Sequence, residues 1–343
     1  MKPILGITMG DPSGCGPEIT VKAFLHEGIY EKCRPLVVGD AATIERAACE
    51  AVKNDSIKVR RVSSVKECRF EIGTIDVFDL HNVEFSKLKI GKVDAMSGNA
   101  AFTSVKKAIE LALAKEIDAT ITNPLNKEAL NAAGHHYAGH TEIYAEFCKI
   151  KDYSMMLAHG DLRVVHVSTH VSLREACERV KKERVLKVIE LAEHICKSLG
   201  IKNPRIGVAG LNPHAGENGM FGREEIEEIA PAINAAKVKG INAEGPVPPD
   251  TLFPKAHGGL FDIVVAMYHD QGHIPLKLLG FQYDKNAGRW QTVNGVNITL
   301  GLPIIRSSVD HGTAFDRAWQ GSANESSLLS AIEYGALLAK NRT

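Results

Sequence analysis

The stretch ITMGDPSGCGPEI, residues 7–19, places three glycines in a turn that follows a short apolar run. Residues 4–9 have the composition of a buried strand, and Pro17 is typical of the first turn of a helix. Glycines at such a turn let backbone N–H groups approach a ligand, and the helix N-terminus favours an anion. The stretch therefore predicts a strand-turn-helix unit that is either an anion-binding loop or a structural turn.

Neither of the two common nucleotide-binding motifs occurs in this loop. Gly10 and Gly16 lie six positions apart where a P-loop has five, and Pro17 stands where its lysine would be. The dinucleotide fingerprint G-x-G-x-x-G is absent, and Glu18 would repel a pyrophosphate if it pointed into the loop. The residues by themselves leave a different binding scheme and a purely structural turn both open.

The composition is that of an ordinary globular protein. Of 343 residues, 44% are hydrophobic and 24% are charged, and 41 basic residues balance 41 acidic ones. No net charge therefore attracts nucleic acid or an anionic membrane. Seven scattered cysteines without a CxxC pair argue against a disulfide framework or a cysteine zinc site, and no signal-peptide pattern is present. We expect a cytoplasmic protein that binds neither nucleic acid nor membrane.

Short strand-like runs alternate with helical patterns along the chain, which predicts the α/β class. Strands are predicted over 4–9, 35–39, 75–80 and 119–122, and helices over 19–26, 41–52, 102–115 and 328–340. Residues 153–169 predict an antiparallel hairpin, and Ser172 opens a capping box for a helix that continues almost to Gly200. We expect two α/β lobes with a cleft between them, the first formed by 1–135 and 295–343, the second by 136–294.

Three predicted strands are each followed by a histidine in a polar context. His170 lies in STHVSLRE, His214 in LNPHAGENG and His269 in MYHDQG. Neutral imidazole is the commonest metal ligand, and three of them leave positions open for a substrate. Each histidine alone is more typical of a surface or capping position, but three at strand ends together favour a metal site. Asp250 and Asp270 are carboxylates that can serve as a further ligand or support a histidine.

Eight motifs then occur in order along the chain. They are GDPSGCGPE, TNPLNK, GHTE, HVSLREA, LNPHAGENGMFG, PPDTLF, HDQG and GLPIIRSSVDHGTAFD. This series resembles the 4-hydroxythreonine-4-phosphate dehydrogenase family of vitamin B6 biosynthesis and its close catabolic relatives, and the resemblance covers residues 4–335. It implies a non-Rossmann fold like that of isocitrate and isopropylmalate dehydrogenases.

The resemblance also implies the cofactors and their sites. GDPSGCGPE and DHGTAFD are similar to two loops that bind a dinucleotide in that fold, so NAD is expected there, with NADP as the alternative. The corresponding cofactor residues are Gly10, Asp11, Gly14, Gly16, His311, Gly312, Thr313 and Asp316. One divalent ion, zinc, cobalt, magnesium or manganese, is expected on His170, His214 and His269, with one of them supplied by the partner subunit of a homodimer.

The implied reaction is oxidation of the C3 hydroxyl of a four-carbon, 4-phosphorylated hydroxy acid, followed by decarboxylation to dihydroxyacetone phosphate. The residues implied in substrate binding are His140, Thr141, Lys277, Asn297 and Arg306. Lys277 and Asp250 are both candidates for the general base, and the sequence does not choose between them. A protein of another class, a non-catalytic metal- or phosphate-binding protein, would have lost one of the histidines or the DHGTA loop.

One segment departs from the vitamin B6 pattern. His273 follows HDQG, and QYDKNAGRWQTVN, residues 282–294, is inserted with Arg289 and Trp290 between the substrate positions. The insertion is either a surface loop or a changed substrate pocket. It favours the catabolic branch that acts on 4-phospho-D-threonate or 4-phospho-D-erythronate. The alternative substrate is 4-hydroxy-L-threonine phosphate.

Overall fold

A computed structural model describes residues 1–286 and 289–342, with the backbone alone described for 289–293. The chain divides into two compact units. The first unit contains residues 1–151 and 302–342, and the second contains residues 152–301. None of the helices within the described ranges combines the length and the hydropathy that a membrane span requires.

The secondary structure follows the alternation that the sequence predicts. The strands are β1 Ile4–Thr8, β2 Arg34–Gly39, β3 Lys58–Val62, β4 Thr74–Asp79, β5 Ala119–Thr122, β6 Ser154–His159, β7 Leu162–His166, β8 Ile206–Ala209, β9 Ala243–Val247, β10 Ile263–Ala266, β11 Phe281–Asp284, β12 Arg289–Val293, β13 Val296–Leu300 and β14 Ile305–Val309. The α-helices are α1 Gly16–Phe24, α2 Gly28–Lys32, α3 Ala41–Arg46, α4 Ala95–Leu113, α5 Lys127–Ala132, α6 His140–Phe147, α7 Leu173–Arg179, α8 Lys182–Ser198, α9 Ala230–Val238, α10 Pro249–His257, α11 His269–Gly280 and α12 Ser326–Lys340.

The first unit is built on six parallel strands in the order β3-β4-β2-β1-β5-β14. Residues of β1 and β2 are almost wholly buried, which is typical of a parallel sheet covered on both faces. Helix α4 packs on this sheet and on α5 and α6, with Phe102, Ile109 and Tyr144 in one apolar core. The α/β prediction is confirmed for this unit.

The second unit has six strands in the order β13-β6-β7-β10-β8-β9. β6 pairs antiparallel with β7, as the hairpin prediction requires, and β13 pairs antiparallel with β6. Strands β7, β10, β8 and β9 run parallel, so their carboxyl ends lie at one edge of the sheet. β11 and β12 form a separate two-stranded hairpin at the insertion, while Ala287 and Gly288 of the insertion lie outside the described residues.

The boundaries of the units differ from the predicted 135/136 and 294/295. Helix α6 belongs to the first unit because its Ile143 and Tyr144 are fully buried in the α4 core. Residues 296–300 belong to the second unit because β13 pairs with β6 along its whole length. Each boundary is therefore decided by a contact between segments that are distant in sequence, and the hydrophobic pattern of the segment itself does not show that contact.

Two helix predictions need correction, and one strand was missed. The helix expected from Ser172 almost to Gly200 is two helices, α7 and α8, because Val180 leaves helical geometry at ψ 86°. Ser172 nevertheless caps α7, its Oγ accepting from the Glu175 N–H at 3.2 Å. The predicted helix 41–52 is α3 followed by a π-helical turn. The sequence of β3, KVRRV, contains three basic residues and two apolar ones, so it lacks the apolar run by which the other strands were predicted.

Candidate functional site

The glycines of the opening turn are required by the packing of the protein's own backbone. A Cβ on Gly10, whose φ is +77°, would lie 2.8 Å from the Pro124 carbonyl oxygen. A Cβ on Gly16 would lie 2.4 Å from the carbonyl oxygen of Met9, and one on Gly14 would lie 2.9 Å from Thr313. The structural interpretation of this turn therefore holds whether or not the turn also binds a ligand.

The two loops that the sequence assigns to a cofactor lie together in the first unit. The Cys15 N–H donates to the Thr313 carbonyl at 2.9 Å, and Trp319 Nε1 donates to the Pro12 carbonyl at 2.9 Å. Glu18 is fully buried and accepts from the Ala323 N–H at 2.8 Å and from Lys22 at 2.9 Å. Its Oε1 is therefore held by Lys22 and by the chain beyond the second loop, while its buried Oε2 has no hydrogen-bond partner among the described residues.

Some buried polar atoms at these loops have no hydrogen-bond partner. Asp11 Oδ2 and His311 Nε2 are two that a ligand could reach from the loops, and Glu18 Oε2 is a third buried atom without a partner among the described residues. Burial raises the pKa of Asp11 to about 7, with a contribution from the negative charge of Asp94, and burial lowers the pKa of His311. Unpaired buried acceptors and donors of this kind fit a polar ligand such as a dinucleotide. Gly312 and Asp316 are exposed in the same loop.

Because its pKa is raised on folding, Asp11 should make the free energy of unfolding depend on pH. The unfolded carboxyl ionises near pH 3.8, whereas the folded one keeps its proton to about pH 7, so the native state loses stability as the pH rises through this interval. The loss is up to ~4 kcal/mol by linkage. We expect Asp11→Asn, which cannot ionise, to gain Tm over the wild type between pH 5 and 7 and to keep that gain above pH 7.

Thermal unfolding of ligand-free protein at several pH values measures this difference. Asp161→Asn is a control, since Asp161 is fully exposed in the β6–β7 turn. A Tm difference between Asp11→Asn and the wild type that is the same at pH 5 and pH 8 would contradict the assignment.

A buried arginine and a half-buried histidine, whose Nε2 is itself buried, lie together elsewhere in the first unit. Arg306 on β14 is 3% exposed, and its Nε and Nη2 donate to Thr122 Oγ1 at 3.2 and 2.9 Å. Burial lowers the pKa of Arg306 to about 10. Burial and then the charge of Arg306 lower the pKa of His140, whose Nε2 has no partner among the described residues. A fixed cation beside a neutral, unpaired imidazole is suited to binding an anion.

Thr141 lies next to His140 in the first turn of α6, partly exposed. Lys277, by contrast, lies on α11 in the second unit, where its Nζ stands 5.1 Å from the centroid of the Phe281 ring. Asn297 on β13 contacts Met155 through its Nδ2, and its buried Oδ1 has no partner among the described residues. Asp250 is exposed in the first turn of α10, which packs on the segment Pro213–Gly219.

Two of the three predicted metal ligands lie together in the second unit. The ring centroids of His170 and His269 are 5.9 Å apart. Both line a cavity of about 310 Å³ whose wall also includes Ser168, Tyr268 and Asp270. The parallel pairing of β7 with β10 produces this arrangement, because it brings the chain beyond each strand to the same edge.

The neighbours of His269 determine which nitrogen is available to a metal. Asp270 Oδ1 accepts from His269 Nδ1 at 2.7 Å, so the lone pair lies on Nε2. The ring of His273 stacks on His269 with centroids 3.6 Å apart, and His273 Nδ1 donates to the His269 carbonyl at 2.9 Å. Burial, and then the charges of His166 and His269, lower the pKa of His273 to about 2, so this supporting ring is neutral.

His214 does not join the other two histidines within one chain. It lies in the turn Pro213–Gly219, is exposed, and its ring centroid is 6.3 Å from that of Phe221. Among residues 1–286 and 289–342, no three His, Cys, Asp or Glu side chains are grouped so that they could hold a metal ion. The imidazole nitrogens of His170 and His269 are suitable ligands for a divalent metal. A third protein ligand would have to be supplied by a residue other than these two.

Sequence reasoning did not identify His166 as part of this group. His166 is 1% exposed, its ring centroid is 4.8 Å from that of His273, and burial lowers its pKa to about 4. A Cβ on Gly272 would lie 2.4 Å from His166 Nε2, so only glycine fits there. The only feature of the sequence that could have indicated this contact was the glycine of HDQG. The hydrophobic pattern of β7 is that of an ordinary buried strand and does not distinguish His166.

Comparison with known proteins finds the same family along nearly the whole chain. The family model described as "Pyridoxal phosphate biosynthetic protein PdxA" matches residues 31–335. A D-threonate 4-phosphate dehydrogenase of Cupriavidus necator is 48% identical over 99% of this chain and 98% of its own length. A protein of the same name from Salmonella typhimurium is 49% identical over 98% of both chains.

Solved structures agree with this match. A 4-hydroxythreonine-4-phosphate dehydrogenase from Klebsiella pneumoniae superposes with a TM-score of 0.87 at 44% identity, over 99% of this chain and 98% of its own. One from Burkholderia phymatum has a TM-score of 0.84 at 47% identity, over 98% of both chains. The resemblance inferred from the eight motifs is confirmed.

Proposed function

The chain belongs to the pyridoxal phosphate biosynthetic protein PdxA family, and we propose that it is a dehydrogenase of 4-phospho-D-threonate or 4-phospho-D-erythronate. The observation that carries this proposal is its 48–49% identity, over almost the full length, to two proteins named D-threonate 4-phosphate dehydrogenase. Within the first unit the Arg306–His140 pair supplies polar groups suited to an anionic substrate, and within the second unit the cavity beside His170 and His269 supplies ring nitrogens suited to a metal ion.

The proposed reaction has two steps. The C3 alcohol of the substrate loses a hydride and its hydroxyl proton, and becomes a ketone in the β position to the carboxylate. The C1–C2 bond then breaks, carbon dioxide leaves with its electrons retained on C2, and a proton added at C2 gives dihydroxyacetone phosphate. When bound, the nicotinamide supplies the hydride acceptor, and the divalent ion supplies a Lewis acid that lowers the pKa of the alcohol.

The protein's own residues hold the substrate in this proposal. Arg306 and Lys277 contribute charge-assisted hydrogen bonds to its phosphate and carboxylate. His140, Thr141 and Asn297 contribute neutral hydrogen bonds, which is consistent with the unpaired atoms His140 Nε2 and Asn297 Oδ1. Fixed donors of this kind orient the C3 hydrogen for transfer and stabilise the enolate formed on decarboxylation.

The proton acceptor for the C3 hydroxyl is Lys277 or Asp250. Lys277 lies on α11, two helical turns beyond His269, on the same helix as the metal-binding residue. Asp250 lies on α10, beside the segment that carries His214. We retain both candidates, because Lys277 lies on the helix that begins with His269 and Asp250 lies beside the segment that carries His214.

We propose that His170 and His269 hold the metal, zinc, cobalt, magnesium or manganese, together with His214 of a second subunit. The exposure of His214 supports a ligand that acts across a homodimer. Apolar side chains beside the histidines favour such an interface: Met220 is 73% exposed, Ile274 64% and Leu278 79%. Ile274 and Leu278 are one turn apart on α11, the helix that begins with His269.

The proposal also includes the dinucleotide and the compartment. The adjoining loops around Gly14 and Thr313 would bind NAD or NADP, with Asp11 and His311 offering unpaired polar atoms. A cytoplasmic location is supported by the cysteines, all seven of which are free thiols.

Steady-state assays with three substrates test the proposal. NADH formation at 340 nm is measured with NAD, a divalent metal and 4-phospho-D-threonate, 4-phospho-D-erythronate or 4-hydroxy-L-threonine phosphate. We expect one of the first two to have the highest kcat/KM, and a chelator to abolish turnover with all three. Highest kcat/KM with the third would instead favour the vitamin B6 reaction, which the names of the solved relatives also support.

A further inference from the structure

The turn that carries His214 is held in an unfavourable backbone conformation. Residues 214–218 all have positive φ, with values of 54°, 54°, 81°, 43° and 54°, and only Gly216 among them is a glycine. A left-handed conformation costs an L-residue roughly 1–2 kcal/mol. Such a run persists only where surrounding groups determine it.

A buried carboxylate restrains the chain that leads into this turn and lies against the turn itself. Glu225 is 3% exposed, and its Oε1 accepts from the N–H groups of Leu211 and Asn212, each at 2.7 Å. Its Oε2 accepts from Asn212 Nδ2 at 2.9 Å. The same oxygen lies 2.7 Å from the position of a Cβ on Gly216, so the carboxylate fills the inside of the turn.

The restrained turn is also tied to the segment that carries His269. Gln271, 8% exposed on α11, donates through Nε2 to the Gly210 carbonyl at 2.8 Å, and its Oε1 accepts from the Met267 N–H at 2.7 Å. Gly210 and Leu211 are consecutive, so the chain that leaves β8 is held by Gln271 on one residue and by Glu225 on the next. The start of the His214 turn is thereby fixed relative to α11.

We propose that Glu225 is a positioning residue for metal binding: its buried carboxylate holds residues 211 and 212, which lead into the left-handed turn 214–218, and lies against Gly216, so that His214 is preorganised as a ligand. This inference rests on the proposed function, in which His214 binds the metal. Glu225 itself touches neither metal nor substrate. Supporting residues of this kind typically alter metal affinity by about 10–100-fold.

The test uses full-length, metal-free protein titrated with Co²⁺ and followed by calorimetry and by the visible absorption of the bound ion. Glu225→Gln keeps one oxygen for the two N–H groups but turns an amide against Asn212 Nδ2. We expect it to bind Co²⁺ about 10–100-fold more weakly than the wild type. In Gly216→Ala the added Cβ would lie too close to Glu225 Oε2 and displace the carboxylate. We expect this variant to weaken Co²⁺ binding to a similar extent.

Glu227→Gln is the matched control, because Glu227 is exposed on the same π-helical turn and pairs with Arg223. We expect it to bind Co²⁺ as the wild type does. Thermal unfolding without metal reports whether a variant is folded.

A double-mutant cycle separates positioning from a general loss of structure. If Glu225 acts through His214, Glu225→Gln should not weaken Co²⁺ binding further once His214→Ala is present. Two results would overturn this inference without affecting the proposed function. One is wild-type Co²⁺ affinity in Glu225→Gln. The other is a loss of Co²⁺ affinity on Glu225→Gln that is as large in the His214→Ala background as in the wild type. Failure of the wild-type protein to bind Co²⁺ would overturn the proposed function.

Discussion

His269→Ala is expected to reduce turnover at least 1,000-fold while the protein stays folded. His269 lies beside His170 at the cavity, and its Nε2 is the nitrogen left available by the bond from Nδ1 to Asp270. If His269 binds the metal as proposed, its removal removes the Lewis acid that would activate the alcohol, and such assistance is worth several kcal/mol. The rate of NADH formation and the thermal unfolding curve measure the two parts of this prediction.

His194→Ala is the control for this variant, because His194 is exposed on α8 and lies outside the cavity. It should keep wild-type turnover. Wild-type turnover in His269→Ala would show that the metal assignment is wrong.

Subunit complementation extends this prediction to His214. Co-expression of His214→Ala and His269→Ala chains should restore activity to about one quarter of the wild-type value, because half of randomly paired dimers contain one intact composite site. The restored activity should elute with the mixed dimer and not with either parent. If each site took all its ligands from one chain, the mixture would stay inactive.

Arg306→Met is expected to lose activity and gain stability together. Burial lowers the pKa of the Arg306 guanidinium to about 10, so keeping it charged at neutral pH costs folding free energy. Methionine removes that cost, and with it the contact of the guanidinium with the Tyr144 ring and the two hydrogen bonds to Thr122 Oγ1, which lie on a hydroxyl that can pair elsewhere. We expect Tm to rise by roughly 2–5 °C and kcat/KM to fall by about 100–1,000-fold, mainly through KM.

Arg184→Met provides the comparison, since Arg184 is also partly buried and burial also lowers its pKa. Its guanidinium donates to the carbonyls of Val167 and Tyr153 at 2.9 and 3.0 Å, so the methionine variant leaves two acceptors unpaired and should lower Tm. Unchanged kcat/KM in Arg306→Met would rule out its proposed role in binding the substrate anion.

The residues of the candidate site could be predicted where they belong to a motif that is continuous in sequence. GDPSGCGPE and DHGTAFD were assigned to one cofactor site from the family resemblance, and the structure does bring the two loops into contact through Cys15 and Thr313. His170 and His269 were likewise expected together, and the parallel pairing of β7 with β10 places them there. Whether these groups bind NAD and a metal stays a prediction.

Other features were not accessible from the sequence. The orientation of Glu18 depends on Ala323, more than 300 positions away in the sequence, whose N–H donates to the Oε1 of the Glu18 carboxylate. The support of His269 by the stacked ring of His273, and the restraint of the His214 turn by Glu225, depend on burial and distance, which no local spacing encodes.

The sequence by itself determined the α/β class, the family and the residue types of the site, because hydrophobic alternation and motif chemistry are local properties of the chain. The tertiary structure alone decided which unit holds α6 and β13, and which carboxylate points at which backbone amide. These depend on strand pairing and core packing between segments that are distant in sequence, where the free energy of burial overrides local preference.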